Sequence, residues 1–179
     1  MLRRWAPIHV VLLKDEIAEA LSDGYDQTNE SIARGRRQAH GYKGDPWIIS
    51  ERGALGQRAF CKGLGLPWKS TLGTFKGADW GSVIQIRTAT CKAEFPPDNF
   101  GTLIIRPADP PHPADDLSHR YVLVTGRCPN FTIKGWIEGR DTQRPEWERG
   151  QGSRPVAHWV PWRALNKDMD ALLKRRPLV

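Results

Sequence analysis

The chain has 179 residues, with 27 Lys and Arg against 20 Asp and Glu and a formal net charge of +7. That length supports one domain with a proper core, and the positive balance favours an anionic partner, nucleic acid before any other. Three cysteines, Cys61, Cys91 and Cys128, without a Cys-x-x-Cys pair, and five scattered histidines argue against structural zinc and for a reducing cytoplasm.

In chain order, Met1-Leu-Arg-Arg-Trp5 is basic, and the apolar patch after it is broken by Lys14, Asp15 and Glu16, too short for a membrane span. Pro7 is placed to open a helix along which Val10, Leu13, Ile17 and Leu21 recur, with Asp23-Gly24 as its stop. A second helix is expected from Asp26 to Gln38, ending in a cluster of Arg34, Arg36, Arg37, His40 and Lys43. That cluster is the strongest local candidate for phosphate binding, and equally a solvated basic face at a helix C-terminus. After a linker over 41–46, a third helix near Glu51 to Leu64 stops at Gly63 and Gly65. Residues 1–45 are therefore read as an N-terminal helical extension packed on a core over 46–179.

Strands are expected at Leu72–Lys76, Ser82–Thr88, Thr102–Arg106, Arg120–Thr125, Phe131–Ile137 and Val156–Val160, their short spacing suggesting antiparallel neighbours. Pro107 to Asp116 holds four prolines and reads as a stiff exposed loop, and Gly139 to Ser153 as a long loop or lid. Pro161 begins a closing helix with Trp162, Leu165, Met169 and Leu172 on one face.

The most informative stretch runs from Phe75 through Asp79 to Gln85-Ile86-Arg87, a strand, a tight turn and a second strand. Gly77 and Gly81 bracket the acid, and alternation puts Val83, Gln85 and Arg87 on one face and Ile84 and Ile86 on the other. Taken singly, an Asp between glycines is also a turn residue capping its own backbone, and Gln85 and Arg87 also suit the exposed face of a half-buried strand. Trp80 is a candidate for stacking on a base.

Together these residues resemble the core of the PD-(D/E)XK nuclease superfamily, in which an Asp at one strand end and a Glu-x-Lys pair on the next hold a divalent metal. Here Gln85-Ile86-Arg87 occupies the Glu-x-Lys position, and Glu51 to Lys62 looks like the preceding acid-bearing helix, with Gln57 where its Glu would fall. The stretch from Glu51 to Ile137, including Gly135-Trp136-Ile137, is also similar to a family of small uncharacterised phage proteins. The resemblance implies an α+β domain, a restriction-endonuclease-like core with a mixed sheet flanked by helices and with helices added at the N-terminus.

It further implies a phage nuclease-like protein acting on DNA in the host cytoplasm, with Mg²⁺ or Mn²⁺ on Asp79 and Gln85, and without zinc, a nucleotide cofactor or a membrane. Arg87 would clamp the phosphate. The departures weaken the chemistry: Asp79 is one carboxylate where Mg²⁺ is normally held by more than neutral donors, and Arg87 cannot exchange a proton as a lysine can. Glu51 restores charge only from about 9 Å along the helix axis, and serves equally as a first-turn acid after a Ser50 cap. The alternative is a catalytically silent module that keeps the fold to bind nucleic acid or a host protein.

Overall fold

The computed structural model describes residues 4–35, 44–70, 78–90, 100–107, 114–151 and 154–174. Among them, the strands are β1 (Ile8–Val11), β2 (Ile84–Ala89), β3 (Thr102–Ile105), β4 (Arg120–Arg127), β5 (Asn130–Glu138), β6 (Glu148–Gln151) and β7 (Arg154–Pro161). The helices are α1 (Lys14–Ala33), α2 (Pro46–Leu64) and α3 (Met169–Lys174). The strands pair into two sheets, ordered β1-β5-β4-β2 and β3-β7-β6. β1 and β4 run antiparallel to β5, while β2 runs parallel to β4, so the first sheet is mixed and the domain is α+β.

Every residue of β5 is buried, because both faces of the first sheet are covered. One face packs on α2, against which α1 lies, through Phe60, Leu64, Ile84, Ile86, Val122 and Val124. The other packs on the second sheet through Leu103, Ile105, Tyr121, Leu123 and Val160. The layers are thus helices, mixed sheet and antiparallel sheet. A bulge at Lys134, where Leu123 pairs with Gly135 but Val124 with Ile133, shifts the side-chain alternation of β5 by one. Ile133 and Trp136, three apart, therefore both face the helices, and Ile137 faces the second sheet.

Several elements differ from the sequence expectation. Ile8–Val11 is not helical: it pairs with β5 as an edge strand, buries Val10 and exposes Val11. The helix begins only at Lys14, where Glu16 reaches back to accept the Leu13 N–H at 2.7 Å. It then runs through Asp23-Gly24, merging the two expected helices. Gly24 serves close packing rather than termination, since a Cβ there would lie 2.9 Å from the backbone of Glu51 on α2. Burial works to raise the Glu16 carboxyl, but the Leu13 amide, Lys62 and Arg58 outweigh it and hold it below the usual range.

β2 and β4 are parallel, where short spacing suggested antiparallel partners; the chain between them passes through β3 in the other sheet. The segment read as a lid holds 3₁₀ turns at Gly139–Thr142 and Pro145–Trp147 and then β6, with Trp147 buried in the second core. The closing helix is a 3₁₀ turn at Trp162–Ala164 followed separately by α3. The expected strand Leu72–Lys76 lies outside the described residues, as does 108–113 of the proline loop. Among the described residues, no helix is long and apolar enough to cross a membrane.

Candidate functional site

α2 is fixed at both ends by its own sequence. Asp45 caps the Trp47 N–H at 2.9 Å, Pro46 occupies the first turn, and Gly65 closes the helix in the left-handed conformation. The helix lies against β2, and its buried stripe, Ala54, Leu55, Ala59 and Phe60, includes one large polar residue, Gln57. Asp79 stands just before β2, in a turn closed by reciprocal hydrogen bonds between Trp80 and Ile84 of 3.1 and 3.2 Å. That turn lays Asp79 along the outer edge of β2.

There the Oδ2 of Asp79 accepts the Ile86 N–H at 2.6 Å, and Oδ1 accepts Nε2 of Gln57 at 2.8 Å. The carboxylate thus satisfies a main-chain donor that an edge strand would leave open. Burial pushes the Asp79 carboxyl above the usual carboxylate range; the Ile86 amide, Arg87, His119 and Gln57 pull it down without cancelling the rise.

Ile84 and Ile86 face the helices, while Gln85 and Arg87 stand on the opposite face, in register with Tyr121 and Leu123. Val83 departs from the expected alternation and packs with the helix-side core, because it precedes the strand. Arg87 directs Nη2 to Oδ1 of Asp115 at 2.5 Å and sets its guanidinium 5.5 Å from the Tyr121 ring centroid. Asp115 in turn accepts the Arg106 N–H at 2.8 Å. Among the described residues, Nε of Arg87 is buried with no hydrogen-bond partner. The Tyr121 hydroxyl donates to the carbonyl of Asp116 at 2.9 Å, and burial raises its pKa well above the ordinary phenol value.

The structure therefore brings Gln57 and Asp79 into contact. It leaves Arg87 acting on Asp79 through its charge alone and commits its guanidinium to Asp115. Glu51 is apart from both. It lines a cleft of about 590 Å³ between the first turns of α2 and the ends of β2 and β4, with Arg52, Leu55, Thr90, Arg127 and Phe131. Trp80 is half-buried against the helix-side core. Arg34 pairs with Glu30 at the end of α1, and Arg36, Arg37, His40 and Lys43 lie outside the described residues.

Asp115, His119 and Tyr121 join the site without having been singled out. Their signal was positional: Asp115 closes the proline-rich loop, and His119 and Tyr121 flank the first residue of a strand whose parallel pairing to β2 the spacing did not reveal.

One carboxylate beside neutral amides is a poor donor set for Mg²⁺ or Mn²⁺, which are normally held by one or two carboxylates with phosphate oxygens. Asp79 already holds one donor on each oxygen, Gln57 turns its NH₂ rather than its oxygen towards the acid, and among the described residues no three His, Cys, Asp or Glu side chains are grouped to hold a metal. What the arrangement does chemically is bind the edge of β2 to α2 through one buried acid. No protein-family model, no curated protein and no solved structure matches the chain.

Proposed function

We propose that the protein is a non-catalytic DNA-binding module built on a nuclease-like core. The observation that carries this reading is the 2.8 Å contact from Gln57 to Asp79. The helix residue standing where the nuclease-like pattern would place an acid meets the strand-end Asp, which supports the resemblance. It meets it as a hydrogen-bond donor, which replaces the repulsion that a cation relieves in a pair of carboxylates with a contact complete in itself. Arg87 follows the same logic, its charge answered by Asp115. The net charge of +7 supports a polyanionic partner, bound through phosphate contacts and therefore weakened by salt.

Calorimetric titration with Mn²⁺ tests the reading. The wild type should give no heat of binding, while Gln57→Glu, which sets a second carboxylate against Asp79, should bind the ion. Metal binding by the wild type, with DNA cleavage lost in Asp79→Ala, would instead establish the metal-dependent nuclease.

A further inference from the structure

The cleft beside α2 lies one to two helical turns from the Gln57–Asp79 contact and takes no part in it. Its lining combines three chemistries. Leu55 and Phe131 form an apolar floor with Ile48 at the rim; Arg52 and Arg127 contribute guanidinium groups; Glu51 contributes a carboxylate and Thr90 a hydroxyl. Among the described residues neither Glu51 nor Arg52 makes an ion pair, although they adjoin in sequence. A charged couple of opposite sign, left unpaired at the mouth of an apolar-floored cleft, suits a ligand that is itself anionic at one end and donor-bearing at the other.

We infer that this cleft binds one nucleotide of a single-stranded nucleic acid, with its base on the Leu55–Phe131 floor, its phosphate between Arg52 and Arg127, and its exocyclic amine on the Glu51 carboxylate. The inference rests on the proposed DNA-binding reading and assigns it a place. Guanidinium forks match phosphate oxygens, and a carboxylate accepts the amino group of cytosine but repels the carbonyl that thymine carries at the same position. The cleft volume lies within the range of small-ligand pockets, about 300–1,000 Å³. A base stacked in a duplex does not reach such a floor, so the strand is single.

Fluorescence anisotropy with labelled oligo(dC) and oligo(dT) across a salt series tests the site. The wild type should prefer oligo(dC) by about fivefold or more, the lower end of the discrimination a well-placed base contact provides. Arg52→Ala with Arg127→Ala should weaken both oligonucleotides and flatten the slope of log K against log salt by about 1.4, two phosphates' worth for a single strand. Glu51→Gln, whose amide also donates, should bring oligo(dT) up to oligo(dC). All three side chains lie at the cleft surface, and melting curves matching the wild type would show the variants folded. Wild-type affinity and slope in the double arginine variant would overturn the cleft while leaving DNA binding elsewhere; equal binding of the two oligonucleotides by the wild type would overturn the role of Glu51. No retention of either at low salt would overturn the cleft and the DNA-binding reading together.

Discussion

Replacing Gln57 by Leu removes the Nε2 donor to Asp79 while filling nearly the same buried volume. That bond is made to a carboxylate in a desolvated setting, where hydrogen bonds to charged groups contribute about 1.5–3 kcal/mol. For a domain of this size each kcal/mol moves the melting temperature by about 2–4 °C, so Gln57→Leu should melt about 3–12 °C below the wild type near neutral pH. The deficit should shrink on acidification, because a protonated Asp79 needs the donor less. Differential scanning calorimetry over a pH series reads both effects. A variant melting with the wild type at every pH would refute the arrangement, since Asp79 would then not depend on α2.

The raised pKa of Asp79 fixes a sign of its own: its contribution is fully present below the unfolded value of about 3.9 and is lost as pH rises through the folded value. Asp79→Asn should therefore flatten the decline in stability above that range, as read by denaturant titration at several pH values. Glu16 acts oppositely, its lowered pKa giving stability that is lost as pH falls, so Glu16→Gln should narrow the acid-induced loss. Gly56→Ala would drive its Cβ into the Thr88 hydroxyl, at a cost of about 1–3 kcal/mol in chemical denaturation that Thr88→Ala should largely restore. Glu138→Ala leaves Arg120, 2% exposed, without its ion-pair partner and should cost about 3–5 kcal/mol, observable as loss of the folded state at moderate urea.

What the sequence disclosed depended on how local the signal was. The C-terminal part of α2 was legible from its apolar spacing and Gly65, but its start was placed too late, at Glu51 after a Ser50 cap, where the helix begins at Pro46 under an Asp45 cap and runs through Gly63. β2, β4 and β5 were legible from their β-branched runs, because these patterns arise within one element. The faces of β2 followed from alternation as far as Ile84 to Arg87 and failed at Val83, which belongs to the turn. β1 was misread as helix because Val10 is placed as well for a helical stripe as for a strand, and only the pairing of Ile8–Val11 with β5 decides between them. The bulge at Lys134 and the parallel pairing of β2 with β4 are properties of two strands at once, so no single stretch encoded them. In the site, Gln57 is read from the sequence as a neutral donor where a helix acid would fall, not as a hydrogen-bond partner of Asp79, and the partner of Arg87 is not read at all: Asp115 lies 28 residues away at the end of a loop.

A native gel of labelled DNA incubated with the protein and Mn²⁺ tests the central claim most directly, because binding and cutting are read in the same lane. A non-catalytic DNA-binding module gives a retarded band that disappears as salt is raised, with DNA recovered from it at full length. Shortened DNA that forms only with Mn²⁺ and no longer forms with Asp79→Ala would contradict that claim.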